Sequence, residues 1–315
     1  MLSRVASSLF WMARNVERAE SNARVLEARL INALETQEYG KVSLSDWEAV
    51  VEICASKVDY EAKGGTFTAK EAASYISLAP ENINSIRNCL ENARFNARAV
   101  RDHIPEDFWY VLNEHYLSFR GEPFTDWNMR RIQTFLQDTQ RLSFTLQGII
   151  ESSMLREEAY QFIKIGKWLE RSEKTARVLN VMCEKTKEAE QEANANYYYW
   201  LSALQFLNGY SAYLKRFPPT MDPEYVIPFL ISYEQFPRSI EYCMEHVRET
   251  IMKLEGGQVS HYSEDLFKSL DHVSSEFMKI KFQRLSKEET GQFLDRFQND
   301  LNRISSVFSS TYYFV

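Results

Sequence analysis

Sixteen residues near the start of the chain recur 153 positions later. Residues 11–26 read WMARNVERAESNARVL and residues 164–179 read KIGKWLERSEKTARVL. Glu17/Glu170, Arg18/Arg171, Glu20/Glu173, Ala23/Ala176, Arg24/Arg177, Val25/Val178 and Leu26/Leu179 are identical. A second block agrees at an offset of 154, with SIRNCLENAR (85–94) lying over SIEYCMEHVR (239–248). Trp47 and Trp200 also fall on the 153-residue offset. Self-similarity at one period marks a repeated structural unit. The chain is expected to be two pseudo-symmetric tandem repeats, 1–156 and 157–315, forming one compact unit.

Within each repeat the apolar spacing is helical. Leu2, Val5, Leu9, Met12, Val16, Ala19, Ala23, Leu26, Leu30 and Ala33 alternate steps of three and four, one seam along a long helix. Glycine and proline together supply only 18 of 315 residues, about half of ordinary usage and too few for the turns of a sheet protein. Ser45-x-x-Glu48, Thr68-x-x-Glu71 and Ser286-x-x-Glu289 are capping boxes, in which side chains satisfy orphan backbone donors. Asp222-Pro223 and Ile104-Pro105 put proline at a first helical position. These signals predict helices over 3–37, 45–60, 68–78, 82–103, 105–118 and 125–154 in the first repeat. In the second they predict 157–189, 195–215, 223–232, 238–255, 262–283 and 287–311. Five of the eight prolines crowd residues 218–237 and predict a non-helical connection around one short helix. The fold class is all-α: a helical bundle with the two long Glu-Arg helices central.

Composition narrows the function classes. With 37 basic and 44 acidic side chains the net charge is −7, which excludes a general nucleic-acid binder. At 44% hydrophobic and 26% charged residues the chain can bury a core, which argues against disorder. Cys54, Cys89, Cys183 and Cys243 form no CxxC pair and suit a reducing compartment. Charged Arg14, Glu17 and Arg18 interrupt the first apolar cluster before a signal-peptide core is complete. The expectation is a cytoplasmic protein that does not enter a membrane.

The residues resemble a known family. LFWMARNVERAESNARVLE resembles the opening block of the bacterial alpha-E domain proteins, and residues 85–116, 152–179 and FPRSI (236–240) extend the match along most of the chain. The resemblance implies an all-helical protein associated with ATP-grasp ligases of glutathionylspermidine-synthase type and transglutaminase-like proteases, and so a role in making or modifying peptide or amide bonds. The family's Leu-Asp-Pro is here Leu78-Ala79-Pro80 in one half and Ser232-Tyr233-Glu234 in the other, so any chemistry of that aspartate is missing.

Two charged clusters are candidate sites. Glu17, Arg18, Glu20 and Arg24 repeat as Glu170, Arg171, Glu173 and Arg177. Four helix-borne carboxylates suggest a dimetal bundle, but that chemistry needs Glu-x-x-His, which no histidine here supplies. Buried ion pairs holding helices together, or an anion site built on the arginine forks, remain the other readings. The second cluster is Arg94, Asn96, Arg98, Arg101 and Asp102. Its arginines share one helix face, either as a carboxylate or phosphate site or as a solvated face with Glu91–Arg94 and Arg98–Asp102 pairs. Cys243-x-x-His246 lacks a second ligand pair, and Tyr197-Tyr198-Tyr199-Trp200 is expected to be core. No Walker A, GxGxxG, HExxH or GxSxG motif occurs, so neither a metal, a cofactor nor a catalytic residue is assigned. The favoured expectation is an accessory helical binding or scaffold protein of an ATP-grasp-linked ligation system. The alternative is an enzyme handling amide or peptide bonds through its Glu/Arg clusters.

Overall fold

The structure, a computed structural model, describes residues 1–37, 44–121, 127–188, 195–280, 282, 285–312 and 314. Among these there are fourteen α-helices and no strand. The first seven are α1 (Ser3–Gln37), α2 (Leu44–Ile53), α3 (Lys57–Ala62), α4 (Ala69–Leu78), α5 (Ile86–Ala99), α6 (Glu106–Phe119) and α7 (Met129–Ser153). A single 3-10 turn, Arg101–His103, joins α5 to α6. The next seven are α8 (Glu158–Glu188), α9 (Ala195–Phe206), α10 (Tyr210–Tyr213), α11 (Pro223–Ser232), α12 (Ile240–Leu254), α13 (Glu264–Lys279) and α14 (Lys287–Thr311).

The chain divides into two compact units, Trp11–Leu155 and Arg156–Val315 together with Met1–Phe10. The first turns of α1 thus belong with the second unit. There the Met1 ammonium reaches the Glu158 carboxylate at 2.9 Å, and the Phe10 ring stacks on Phe308 at 5.2 Å. Within this unit α8 is central, packed against α9, α11, α12 and α14. In the other unit α4 packs on α5 and α7, and α6 on both α5 and α7. The α1 seam is buried from Leu9 through Leu30, whereas Leu2 is exposed.

Two predicted helices are broken where the sequence reads through. The stretch 45–60 is split by Ala55 at φ 54°, and 195–215 by Asn208 at φ 52°. Both breaks close the preceding helix in the same way. Ala55 N–H donates to Glu52 C=O and Ser56 N–H to Val51 C=O; Asn208 N–H donates to Gln205 C=O and Gly209 N–H to Leu204 C=O. A left-handed residue after a helix satisfies its orphan carbonyls in this pattern. The tyrosine beyond each break is tied down alike, with Tyr60 Oη donating to Thr66 C=O at 2.6 Å and Tyr213 Oη to Thr220 C=O at 2.8 Å.

The caps differ among themselves. Ser286 and Glu289 form the full reciprocal box, whereas Thr68 caps Glu71 N–H but the Glu71 carboxylate turns to Thr66 instead. Pro105 is the N-cap of α6 rather than its first helical residue, and Pro223 does open α11. The Ser45 side chain lies outside the described residues. Ser85 and Ser239, both fully buried, cap α5 and α12 through the N–H groups of Asn88 and Tyr242.

Candidate functional site

The first Glu-Arg block faces inward. Glu17 and Glu20 lie one turn apart on α1, and both are buried. Glu20 Oε1 accepts Arg24 Nε at 2.8 Å and Arg24 Nη2 as well, with Ser21 Oγ on its other oxygen at 3.4 Å. Glu17 accepts Gln147 Nε2 of α7 at 3.4 Å. Arg18 Nη1 donates to Asn84 Oδ1 at 3.1 Å, and Asn22 Nδ2 to the Asn84 carbonyl at 2.9 Å. Asn84 is itself held, its N–H on Asn82 Oδ1 at 3.0 Å and its Nδ2 on the Ala55 carbonyl at 2.9 Å. The block therefore ties α1 to the turn ahead of α5.

The second block, on α8, makes different contacts. Glu170 and Arg171 are buried on α8. Arg171 Nη1 donates to the Pro237 carbonyl at 3.4 Å, and its guanidinium lies 4.9 Å from the Trp168 ring. Thr175, 153 positions after Asn22, donates to the Arg238 carbonyl at 2.8 Å. Glu173 and Arg177 pair at 3.2 Å, four residues apart like Glu20 and Arg24.

The second cluster forms an open cleft where α5 turns into α6, lined by Arg98, Ala99, Arg101, Asp102, Glu106 and Trp109. Arg94, one turn before Arg98 on α5, is not in the lining. Its Nε donates to Asn113 Oδ1 at 2.8 Å, and its guanidinium sits 4.5 Å from the Tyr116 ring and 5.5 Å from Trp109. Arg101 approaches the Trp109 ring to 5.0 Å. Asn96 turns away, donating to the Asn92 carbonyl on its own helix. Neither expected surface pair forms. Glu91 instead accepts the Tyr116 hydroxyl at 3.0 Å, while Arg98 and Asp102 have no ion-pair partner among the described residues. Arginines stacked on rings keep their edge N–H groups available for a carboxylate or phosphate.

The match of the whole chain decides the family. The model of the Alpha-E family, described as a predicted alpha-helical domain with a conserved ER motif, matches residues 1–313. The chain belongs to the Alpha-E family. An uncharacterized protein of Mycobacterium bovis is 25% identical over 274 residues, covering 82% of this chain and 30% of that protein. Uncharacterized proteins from two Mycobacterium tuberculosis strains match over the same length at 25% and 24% identity. The chain thus spans under a third of the length of the curated relatives it matches. No solved structure matches.

Other motifs of this Alpha-E chain settle into packing. Cys243 is buried with Sγ 3.6 Å from the Pro237 carbonyl, while His246 Nδ1 contacts the Tyr242 carbonyl at 2.8 Å, so the two do not converge. All four cysteines are buried, and burial pushes the Cys183 thiol up to about 12. Of the aromatic run, Trp200 is core but Tyr197 is exposed, because a four-residue run must circle a helix.

Sequence reasoning misses three polar anchors. Glu27 accepts Gln137 Nε2 at 2.8 Å and Gln140 Nε2 at 2.6 Å from α7, and buried Arg29 pairs with Asp46 at 2.8 Å. Asn84 is the third. Glu27 and Arg29 continue the charged line of α1 past Arg24, which is a signal in the sequence; Asn84 has none. The groove along α12 and α13 is also unforeseen. Glu234, Glu241, Glu245 and Glu249 line it, and burial together with Glu234 and Glu245 raises the Glu241 carboxyl above its ordinary range.

Proposed function

We propose that this Alpha-E chain is an accessory helical binding protein that positions a ligand or partner for an ATP-grasp-linked peptide or amide ligation system. The observation that carries the reading is the contrast between its charged clusters. Glu20, with its arginine, is closed into helix packing, whereas Arg98 and Arg101 stand at an open cleft. A general acid or base must reach the proton it moves, and Glu20 is shut away from any ligand. The partners in this reading are a ligase of glutathionylspermidine-synthase type and a transglutaminase-like protease system, in the cytoplasm, with no nucleic acid or membrane involved. The mycobacterial relatives support a modular role, since the matched region occupies 30% of their length.

We also infer that the two halves are copies of one plan. Seven helices recur in order, and the breaks at Ala55 and Asn208, the tyrosine anchors and the buried cap serines all recur at offsets of 153 or 154. The partner reading is tested by capture with tagged full-length chain from its native cells, followed by mass spectrometry. Recovery of an ATP-grasp protein is expected, and repeated recovery of none overturns it. Titration with MgATP should give no micromolar binding, because nothing in the sequence supplies a phosphate-cradling loop.

A second reading, an enzyme acting on amide or peptide bonds, draws on Glu173 and Arg177, which are partly exposed where Glu20 is not. Glu173→Gln would then abolish turnover of an amide substrate at unchanged stability.

A further inference from the structure

Resting on the binding reading above, we propose that the cleft at the α5–α6 turn takes a small zwitterion: a molecule with a free carboxylate and a free ammonium group, such as an amino acid or a short unblocked peptide. The cleft carries both signs of charge side by side. Arg98 and Arg101 contribute two positive charges, Asp102 and Glu106 two negative ones, and the wall is the Trp109 indole.

How these groups are held points to what they bind. Arg101 is oriented by the face of Trp109 at 5.0 Å rather than by a carboxylate, so its charge is positioned without being neutralised. Arg94, at 5.5 Å from the same ring, adds positive potential. Arg98 and Asp102 have no ion-pair partner among the described residues, although they lie four apart on adjoining helical turns. Glu106 uses one oxygen for the Tyr110 hydroxyl at 2.8 Å, and its other carboxylate oxygen is left for a cation.

Complementarity then discriminates among ligand classes. A polyphosphate would gain from the arginines but meet two carboxylates at the same mouth, so like-charge repulsion offsets much of that gain. A simple monocarboxylate pairs with the arginines and leaves Asp102 and Glu106 unsatisfied. A neutral molecule must desolvate four charges and return nothing for them. A zwitterion satisfies both pairs at once, with its carboxylate in the arginine fork and its ammonium on the acids.

The experiment uses full-length chain and four probes: trialanine, N-acetyl-trialanine, trialanine amide and inorganic pyrophosphate. Binding is followed by titration calorimetry and by the arginine Nε–H signals in NMR. Trialanine is expected to bind saturably, and blocking either end should weaken it at least tenfold. Arg98→Ala should weaken trialanine at least tenfold, and Asp102→Asn should weaken it while leaving N-acetyl-trialanine unchanged or improved. Arg248→Ala, on the other unit, should change nothing. Both cleft variants replace exposed side chains, and an unchanged circular dichroism melt verifies that they fold. Arg98-dependent binding of N-acetyl-trialanine or pyrophosphate as tight as that of trialanine overturns the zwitterion but keeps an anion site. Failure of all four probes overturns the inference outright. The ligase partnership is judged separately, by the capture experiment.

Discussion

The pairs Glu20–Arg24 and Glu173–Arg177 are the same residues at the same spacing on the long helices α1 and α8, yet they live in different media. The Glu20 side chain is 0% exposed and that of Arg24 11%, with two donors of the guanidinium on one carboxylate oxygen. The Glu173 and Arg177 side chains are 25% and 29% exposed and share one bond of 3.2 Å. Sequence identity therefore conserves the bond but not its energetic weight. Attraction between charges strengthens as water is excluded, and so does the penalty for leaving one alone. Arg24→Met should destabilise by about 3–5 kcal/mol, since it takes both guanidinium donors away from a fully buried carboxylate. Arg177→Met should cost about 1 kcal/mol or less, as partly exposed pairs do. Urea unfolding of the two variants measures the difference, and equal losses would break the comparison.

Titration gives the next contrast, because His115 stands four residues before Phe119, whose ring meets Phe135 at 5.3 Å, whereas in the similar pair Phe277–Phe293 at 5.6 Å the residue four before Phe277 is Val273. The His115 ring stacks on Phe135 at 6.2 Å and meets the edge of Phe119 at 5.8 Å, and its Nε2 is buried without a hydrogen bond. Burial holds its pKa below the ordinary 6.5, partly opposed by Asp138. The folded unit thus favours the neutral ring, and the unfolded chain takes up the proton first. Stability from this group is complete above about pH 6.5 and falls as pH drops toward the lower folded-state pKa. His115→Phe should flatten that part of the stability–pH curve. Hydrogen exchange should show acid loosening α6 and α7 before α13 and α14. A curve unchanged by the substitution would remove His115 as the cause.

Cap serines are matched more closely, so they sharpen the comparison at smaller scale. Ser85→Ala removes the acceptor for Asn88 N–H and should cost about 1 kcal/mol. Ser239→Ala removes the acceptor for Tyr242 N–H and also the donor that reaches the Tyr233 carbonyl at 2.9 Å. Its loss should exceed that of Ser85→Ala by about 1 kcal/mol, the net worth of one more hydrogen bond. Equal midpoint shifts in thermal unfolding would mean that the Tyr233 contact carries no weight.

What the sequence discloses follows from how local each signal is. The helices 3–37, 223–232 and 287–311 are read with their observed bounds because a seam, a proline at the first position or a capping box marks them within a few residues. Glu20–Arg24 is legible too, since residues four apart on a helix face one another. Partners that come from elsewhere in the fold are not. The rings that hold Arg94 and Arg101 stand on the next helix, and the carbonyl that receives Asn22 lies 62 residues away. The break at Asn208 has a local signal in the Asn208-Gly209 dipeptide. Its counterpart has none, since alanine is the strongest of helix formers; only the 153-residue offset carries the break back to Ala55.

That asymmetry makes the smallest prediction. Ala55 and Asn208 adopt nearly the same left-handed backbone, at φ 54° and 52°, and both are exposed, so neither side chain contributes packing that a substitution would remove. For an L-residue such as alanine that conformation costs about 1–2 kcal/mol, because Cβ crowds the carbonyl oxygen. Glycine has no such clash but loses about 0.5–1 kcal/mol more chain entropy on folding. Ala55→Gly should therefore stabilise the Trp11–Leu155 unit by about 0.5–1 kcal/mol. Asparagine already tolerates the region through local hydrogen bonding of its side chain, so Asn208→Gly should lie within about 0.5 kcal/mol of zero. The readout is the shift in urea midpoint at unchanged slope, which separates a change in stability from one in the unfolded chain. Destabilisation by Ala55→Gly would mean that Ala55 is helical in solution and that α2 and α3 run together, because glycine in a continuous helix is a loss of about 1 kcal/mol against alanine.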